Sequence, residues 1–438
     1  MRSLLTTALA MGPGAAEYLR ARRLLASAGP AEHDAMLADL LRHAAERVPY
    51  YRGNPAYGPA TPASYHTLPV LEKRVVRDRR AELASDDAAR LGARGARTTG
   101  STGMPLEFLV DRAFGVWKHA AMDHFVANFL GLDPARTRQA VFWYLGGRGR
   151  PRALKRVHLA LRGTTVEDVA RCDPEDMDRF ASTLAARRPG IVVGFPYMLC
   201  NLARHIRARG IAVPAPRFVV TMSEPLHPGM RAELGEVFGC PVRDVYASSE
   251  TGPLAGECAH GRLHVFEAAN RVEPLDAAGR AAPPGTPARM VVTNLHNRAM
   301  PLLRYALGDT VEAASGPCAC GRAGMALTRV VGRVIDHLVR ADGVLVEPSH
   351  LLDTMTRTDW LDEYRMVQQR DGRIEITFTR RREPSDDDKA RVAARIREVM
   401  GPKCVIAFTP VEVLPSDPGG KHHFIRSTLL QEPQPSNR

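Results

Sequence analysis

The sequence predicts an α/β fold, in which a large N-terminal part made of several subdomains precedes a small α+β domain at the C-terminus. Three observations support this fold class. The chain of 438 residues is too long for one ordinary hydrophobic core. Short apolar stretches alternate with helical segments over residues 106–245, which is typical of parallel sheets with helical crossovers. From about residue 262 the apolar stretches become shorter and strand-like, and the pattern restarts beyond residue 336.

The first ninety residues are predicted to be mostly helical. Residues 13–48 form helices in this prediction, because apolar side chains recur there at steps of three and four. These side chains are Met36, Leu37, Leu40, Leu41 and Ala44. Pro49 disfavours helix before it and ends the segment. Four prolines make residues 53–69 a loop, and the charged stretch 71–91 is predicted to be a further helix.

The middle of the chain carries the expected parallel α/β part. The expected strands are Leu106–Val110, Val141–Leu145, Ile191–Gly194, Phe218–Met222 and Val242–Val245. The expected helices are Asp111–Leu130, Met177–Ala185, Met198–Ala208 and Met230–Phe238. Ligands of such sheets bind at the loops that follow the carboxyl ends of the strands.

Two further groups of elements complete the prediction. Leu263–Phe266, Ala288–Val292 and Thr310–Ala313 are expected strands of a β-rich subdomain packed on the α/β part. Beyond residue 336, the expected elements are a strand at Arg373–Thr379, a helix at Asp387–Met400 and a strand at Val405–Val413. A separate domain of about 100 residues is a normal size for such a module. We therefore divide the chain into residues 1–336 and residues 337–438.

Composition excludes several classes of protein. The net charge of +12 and the isoelectric point near 9.7 raise the hypothesis of a nucleic-acid-binding protein. The densest basic stretch, residues 148–156, lacks interleaved aromatic side chains, and the few lysines are scattered along the chain. No run reaches the roughly 18 apolar residues of a membrane helix. We expect no nucleic-acid or membrane partner, and the odd number of cysteines favours the cytoplasm.

A loop of small and polar residues, Arg97–Pro105, separates a helical segment from a strand. Gly100 and Gly103 permit backbone conformations that a Cβ resists, so hydroxyl and N–H groups can converge on one anion. The alternative is an ordinary surface turn. The loop is not a Walker motif, because no Gly-Lys-Ser/Thr stands at the required spacing.

Four later motifs follow this loop, and their order along the chain is informative. They are Tyr246–Gly252 after a predicted strand, Arg304–Asp309, Gly332–Asp336 and Gly419–Lys421. Together the five stretches resemble the adenylate-forming superfamily of acyl- and aryl-CoA synthetases. The branch that the chain resembles most is phenylacetate–CoA ligase-like, through Ser223–Pro225, Ala299–Tyr305 and Cys318–Arg322. The resemblance covers residues 48–421, which is most of the chain.

The resemblance implies an ATP site. Its phosphate loop would consist of Thr98, Thr99, Gly100, Ser101, Thr102 and Gly103. Other nucleotide-binding residues would be Ser223, Glu224, Pro225, Tyr246, Ser249, Asp309 and Arg333. In this interpretation Tyr246 stacks on adenine, Asp309 accepts the ribose hydroxyls, and Arg333 donates to ribose or phosphate. Tyr246 as a core aromatic and Asp309 as an Asx-turn residue are the structural alternatives.

Catalysis would depend on Glu250 and Lys421. Glu250 would coordinate Mg²⁺, which favours oxygen ligands, although a carboxylate at a strand end can also be purely structural. The small domain would be mobile, rotating at the hinge residue Asp336 to bring Lys421 to the carboxylate and the α-phosphate. The phosphate loop departs from many relatives because Met104 stands where they carry lysine.

A second constellation predicts structural Zn²⁺. Cys258, Cys318 and Cys320 with one imidazole make a closed Cys₃His set, and the alternative is four unconnected loop residues. Resemblance to zinc-bearing members of the branch favours His264 over His260 as the fourth ligand.

The expected activity is ATP-dependent adenylation of a carboxylic acid, followed by transfer to CoA as a thioester. Trp143, Tyr144, Phe195 and Tyr197, with Phe142, are candidates for an aromatic acid pocket or for ordinary core. The alternative activity transfers the acyl group to an amine, a carrier-protein thiol or nitrite. The residues do not identify the acid or the acceptor, and a homodimer stays open.

Overall fold

A computed structural model describes residues 12–98, 106–143, 159, 163–168, 174–333, 338–341, 345–346, 351, 354–355, 358–414 and 425–429. Its α-helices are α1 Ala15–Ser27, α2 Pro30–Arg47, α3 Lys73–Asp78, α4 Arg80–Leu83, α5 Arg112–His124, α6 Pro174–Arg187, α7 Pro196–Arg209, α8 Pro228–Phe238 and α9 Asp386–Met400. Strands β1–β7 are Arg94–Arg97, Glu107–Val110, Gln139–Trp143, Thr164–Asp168, Ile191–Gly194, Phe218–Met222 and Val242–Ser248. Strands β8–β13 are Gly252–Glu257, Leu263–Val265, Asn270–Leu275, Pro287–Asn294, Tyr305–Ala313 and Ala326–Arg333. Strands β14–β19 are Leu338–Val339, Leu345–Val346, Leu361–Gln368, Ile374–Arg380, Ile406–Pro410 and Ile425–Ser427.

An eleven-stranded sheet forms the centre of the fold, in the order β10-β11-β12-β13-β9-β8-β7-β6-β5-β3-β4. Strands β4, β3, β5, β6 and β7 run parallel, whereas β8 to β13 pair antiparallel. The predicted α/β class with parallel and β-rich parts is thereby confirmed. The two parts share one continuous sheet, because β8 pairs with the last parallel strand and carries the ladder onward.

The parallel strands bury both faces. Val192, Val219 and Val242 pack with helices α6 to α8 in one hydrophobic cluster. Ile191 and Val245 belong to a second cluster on the opposite face, with residues of α1, α2 and α5. Strands covered by helices on both sides read as continuous apolar runs, which explains why the sequence predicts them well.

Two predicted helices are wrong in detail. The stretch 71–91 is not one helix, because it contains only the short α3 and α4. Beyond them its backbone bonds to other parts of the chain: Ser85 N–H donates to the Ala299 carbonyl, and Asp86 N–H donates to the Arg47 carbonyl. The helix predicted over Asp111–Leu130 ends as α-helix at His124 and continues as a π-helix over Phe125–Phe129.

The elements after residue 338 have a core of their own. Strands β18, β17, β16 and β19 form a four-stranded sheet, and α9 packs on it through Val392 and Ile396. A capping box begins α9: Asp388 N–H donates to the Ser385 hydroxyl at 3.2 Å, and Ser385 N–H donates to the Asp388 carboxylate at 3.0 Å. Among the described helices, none combines the length and apolar character needed to span a bilayer.

Candidate active site

The start of the predicted phosphate loop closes a hairpin. Strands β1 and β2 pair antiparallel, with Arg97 opposite Glu107. Thr98 N–H donates to the Leu106 carbonyl, and Leu106 N–H donates to the Thr98 hydroxyl, both at 2.9 Å. The Thr98 hydroxyl therefore helps to join the two ends of the loop at residues 98 and 106. The other predicted loop residues, Thr99, Gly100, Ser101, Thr102 and Gly103, lie outside the described residues, as does Met104.

Strands β7 and β12 bring Tyr246 and Asp309 together. The Tyr246 hydroxyl donates to the Asp309 carboxylate and also contacts the Met290 sulfur at 3.3 Å. Asp309 is buried, and its Cα lies opposite that of Arg333 in the β12–β13 ladder. The side chains of Tyr246 and Asp309 thus meet, and the backbone of Arg333 lies beside Asp309.

Glu250 follows β7 and is buried, with 4% of its surface exposed. The Tyr305 hydroxyl donates to Glu250 Oε1 at 3.2 Å. Lys73 Nζ lies 3.9 Å from the same oxygen. Lys73 belongs to none of the sequence motifs, and Tyr305 lies in the motif Arg304–Asp309 but was assigned no role. We call Tyr246, Glu250, Tyr305 and Asp309 the nucleotide cluster, after the ATP site that the sequence predicts here.

The turn after β6 lies next to β7. Ser223 adopts a φ of +73°, a left-handed conformation that non-glycine residues seldom adopt. Glu224 and Pro225 complete this turn, and Ser249 is exposed in the turn before Glu250.

A half-buried carboxylate, that of Asp244, lies on β7. Asp244 accepts a hydrogen bond from the Thr221 hydroxyl at 2.6 Å. Burial raises the pKa of Asp244 to about 7, and the nearby Glu257 carboxylate adds to the rise. Glu257 itself is held by the Arg231 guanidinium, with contacts at 2.8 and 3.0 Å.

The aromatic candidates divide between core and strand ends. Trp143, at the end of β3, stacks on Phe195 after β5, with ring centroids 4.4 Å apart and planes 27° apart. Phe142 is core, because it is fully buried and meets Phe180 edge-on at 5.0 Å. Tyr197 lies in the first turn of α7, and Tyr144 lies outside the described residues. Trp143 and Phe195 therefore remain adjacent at the ends of two neighbouring parallel strands.

Two predicted residues of the small domain lie outside the part that the structure describes. They are the hinge Asp336 and the catalytic Lys421. Their roles stay predictions.

The four predicted zinc ligands meet in space. Cys258, His264, Cys318 and Cys320, which we call the Cys/His cluster, place one donor atom each within 4.8 Å of one another. Cys258 Sγ is 3.7 Å from Cys318 Sγ, and Cys320 Sγ is 3.2 Å from His264 Nε2. Three thiols and one imidazole are the donors of a closed tetrahedral zinc site, so the residues fit this metal. His260 is exposed and belongs to no described group of this kind.

The surroundings of the Cys/His cluster favour neutral His264. Burial lowers the pKa of His264, and the positive charges of Arg322 and Arg262 lower it further. The Arg322 guanidinium stacks over Phe129 at 4.1 Å and donates to the Asn128 carbonyl. A neutral imidazole is the form that ligates metal. The cluster thus joins β8, β9 and the Cys318–Arg322 turn beside the π-helix.

Comparison with known proteins gives two sequence relatives. Protein CapK of Staphylococcus aureus is 25% identical over an alignment 386 residues long, which covers 83% of this chain and 80% of that protein. A phenylacetate–coenzyme A ligase of Thermus thermophilus is 27% identical over an alignment 264 residues long, which covers 53% of this chain and 59% of the ligase. No known protein-family model matches the chain.

Solved structures agree on the fold. A 2-hydroxyisobutyryl-CoA ligase in the postadenylation state, in complex with 2-HIB-AMP, superposes with a TM-score of 0.70 at 17% identity. The match covers 92% of this chain and 90% of that structure. The resemblance to the adenylate-forming superfamily is confirmed at this level: the chain has the fold of an acyl-CoA ligase, and its sequence relatives include a phenylacetate–CoA ligase.

Proposed function

We propose that this protein, which shares its fold with acyl-CoA ligases, activates a carboxylic acid with ATP and transfers the acyl group to CoA. The observation that carries the proposal is the nucleotide cluster. Asp309 and Glu250 are both buried, and each carboxylate accepts a tyrosine hydroxyl, from Tyr246 and Tyr305. Buried carboxylates of this kind are suited to ligand binding, because ribose hydroxyls and Mg²⁺ both seek oxygen acceptors.

The reaction has two steps. A carboxylate oxygen attacks the α-phosphorus of ATP, the bond to the β-phosphate oxygen breaks, and pyrophosphate leaves. The CoA thiolate then attacks the acyl carbon, and AMP leaves with the oxygen that joined acyl and phosphate. Asp309 would hold the ribose, Tyr246 and the Ser223–Pro225 turn would position adenine, and Thr98 to Gly103 would face the β- and γ-phosphates. Glu250 would hold Mg²⁺, which neutralises charge on phosphate oxygens.

The small domain would supply Lys421. We propose that residues 337–438 form this domain and turn at Asp336, in support of which β16 to β19 and α9 share a core of their own. Lys421→Ala should abolish acid-dependent pyrophosphate release while ATP binding is retained. Pyrophosphate release at the wild-type rate in that variant would contradict the assigned role.

The Cys/His cluster would bind structural Zn²⁺. Four protein donors complete a tetrahedral shell and leave no position for substrate, so the ion would stabilise the fold and take no part in the chemistry. The use of ATP and CoA supports a cytoplasmic location.

One assay tests the proposed function. The protein is incubated with ATP, Mg²⁺, CoA and a panel of aryl and alkyl acids, and products are followed by pyrophosphate release and mass spectrometry. A matching acid should give pyrophosphate, AMP and an acyl-CoA thioester. Pyrophosphate without a thioester would point to another acceptor, such as an amine, a carrier-protein thiol or nitrite. No pyrophosphate with any acid, from folded protein with its metal, would contradict adenylation itself.

A further inference from the structure

A lysine that belongs to none of the sequence motifs faces the proposed magnesium carboxylate. Lys73 is the first residue of α3, and its Nζ is 3.9 Å from Glu250 Oε1. The Glu250 side chain is 3% exposed and the Lys73 side chain is 25% exposed. The Lys73 ammonium is therefore more accessible to solvent than the Glu250 carboxylate. A group that binds an incoming ligand must be accessible in this way.

The backbone fixes Lys73 relative to Tyr305, the other partner of Glu250. Leu71 forms a parallel bridge with Tyr305. Leu71 N–H donates to the Arg304 carbonyl at 2.9 Å, and Ala306 N–H donates to the Leu71 carbonyl at 3.0 Å. Lys73 stands two residues after this bridge. The pairing with Tyr305, the first residue of β12, therefore fixes the position of Lys73 relative to Glu250.

Arg304 anchors the same segment from its other end. Its guanidinium donates to the Leu68 carbonyl and to Glu273, the latter at 3.0 Å. Its own N–H donates to the Thr293 hydroxyl at 2.7 Å. Arg304 also has a φ of +47°, a strained conformation that persists only where several contacts determine it. The hydrogen bonds of Arg304 thus hold residues 68–73 against the start of β12, although the Arg304 backbone is strained.

Helix stability does not explain a lysine at this position. The N-terminus of a helix carries partial positive charge, so a cation in the first turn is unfavourable. The neighbouring Glu72 pairs with Arg289 instead, with a contact of 2.6 Å. Lys73 is therefore placed by tertiary structure, with its charge directed to Glu250.

We propose that Lys73 is a further catalytic residue, whose ammonium binds the β- and γ-phosphate oxygens of ATP and stabilises the pyrophosphate leaving group. This inference rests on the proposed adenylation. Mg²⁺ is held by one or two carboxylates together with substrate phosphates, so a lysine beside Glu250 is within reach of those phosphates. The phosphate loop has Met104 where many relatives have lysine, and Lys73 supplies the cation that this loop lacks.

The Glu250–Lys73 pair also accounts for the state without nucleotide. A buried carboxylate needs a compensating charge, and Lys73 provides one. With ATP and Mg²⁺ bound, the Glu250 carboxylate would hold the metal and the Lys73 ammonium would bind phosphate oxygens. Both groups exchange one charged partner for another, and neither is left buried alone.

Binding measurements on Lys73→Met test this exchange. Calorimetric titration with ATP and Mg²⁺ should show affinity about 10- to 100-fold weaker than in the wild type, the effect of one charge-assisted hydrogen bond or two. AMP lacks the β- and γ-phosphates, so AMP affinity should stay unchanged. Lys73→Arg should retain most of the ATP affinity. Equal loss for ATP and AMP, or no loss for ATP, would overturn the proposal.

Lys389→Met is the matched control. Lys389 pairs with Asp386 at 4.0 Å in the first turn of α9, a contact about as long as the 3.9 Å between Lys73 and Glu250. Its loss should leave both affinities unchanged. A wild-type protein that binds no ATP at all would refute the proposed function and this inference with it. ATP binding that survives Lys73→Met refutes only the role of Lys73.

A measurement on the wild type covers the case in which Lys73→Met does not fold. Lysines are acetylated with acetic anhydride, and the peptide that contains Lys73 is quantified by mass spectrometry. ATP with Mg²⁺ should protect Lys73, and AMP should not, whereas Lys389 should react equally in all conditions. Equal reactivity of Lys73 with ATP and with AMP would overturn the proposal.

Discussion

The nucleotide cluster and the Cys/His cluster both bury polar side chains on the central sheet, but they are stabilised in different ways. In the nucleotide cluster each carboxylate has a partner from another strand: Tyr246 donates to Asp309, and Tyr305 donates to Glu250. In the Cys/His cluster the donors face one another, with Cys258 Sγ 3.7 Å from Cys318 Sγ. The carboxylates of the first cluster are satisfied by hydrogen bonds within the protein, whereas the donor set of the second fits a metal ion.

Because of this difference, we expect substitutions in the two clusters to affect different properties, activity in one and stability in the other. Residues that hold a ligand are often poorly optimised for stability, because their charges are buried for the sake of binding. Ligands of a structural metal contribute folding free energy directly. Substitutions in the first cluster should therefore reduce activity with little effect on unfolding, and substitutions in the second should do the opposite.

Glu250→Gln is expected to have the largest effect on activity. The amide keeps the size of the side chain but loses the charge that would hold Mg²⁺. Acid-dependent pyrophosphate release should fall by about 100-fold or more, as when one preorganised electrostatic group is removed from an active site. The unfolding midpoint in urea should change little, because Lys73 can be solvated through its exposed side. A large loss of stability with activity retained would contradict the view that the nucleotide cluster serves activity rather than stability.

Cys318→Ser should have the largest effect on stability. Zinc analysis by mass spectrometry should find about one Zn²⁺ per wild-type chain, as expected of one closed four-ligand site, and clearly less in the variant. Loss of a structural metal belongs to the class of changes that cost more than about 4 kcal/mol, so thermal unfolding should occur at a much lower temperature. Cys404→Ser, outside the cluster, should keep the zinc. A wild-type protein without metal, or a variant of unchanged stability, would contradict the assignment.

A smaller effect is expected on the pH dependence of stability, and it comes from His296, which lies outside both clusters. His296 stacks on Trp117 with ring centroids 3.4 Å apart, and its Nε2 lies 2.7 Å from the Ala268 carbonyl oxygen. Burial lowers the pKa of His296 from 6.5 to about 3. The unfolded chain therefore takes up a proton below pH 6.5 that the folded chain does not, and stability falls as the pH falls. From pH 7.5 to 5.5 this one residue should cost about 1.4 kcal/mol.

His296→Phe tests the acid effect. The phenyl ring keeps the stack on Trp117 but cannot titrate, so the wild-type loss between the two pH values should shrink by that amount in urea unfolding. His66→Asn, at an exposed position, should leave the pH dependence unchanged. The same slope in His296→Phe and wild type would show that other groups cause the acid sensitivity.

Sequence reasoning predicted those elements whose residues carry their own signal. Strands β5 and β6 begin and end at the predicted residues, because an unbroken apolar run is buried on both faces. Donor chemistry predicted a set of three cysteines and one histidine, and the family resemblance favoured His264 as the histidine. Strand β8 was missed, because its residues Gly252–Glu257 show no strand pattern and are buried only by the surrounding sheet. A Cβ at Gly256 would lie 2.5 Å from the Phe125 ring, so packing rather than strand propensity requires that glycine.

The candidate site was predictable only in part, for the same reason. Tyr246, Glu250 and Asp309 belong to motifs that can be compared with a family. The ion pair of Lys73 and Glu250 exists only after the sheet has brought β7 and β12 together. The Thr98 hydroxyl was predicted to face phosphate, and its use as an acceptor for Leu106 depends on the register of the β1–β2 hairpin.

The central claim is that the protein forms an acyl-adenylate, and oxygen transfer tests it most directly. An accepted acid is labelled with heavy oxygen in its carboxylate and incubated with ATP, Mg²⁺ and CoA, and the AMP is analysed by mass spectrometry. If the carboxylate attacks the α-phosphorus, one labelled oxygen must appear in AMP as the thioester forms. AMP without label, or ADP as the nucleotide product, would contradict the account.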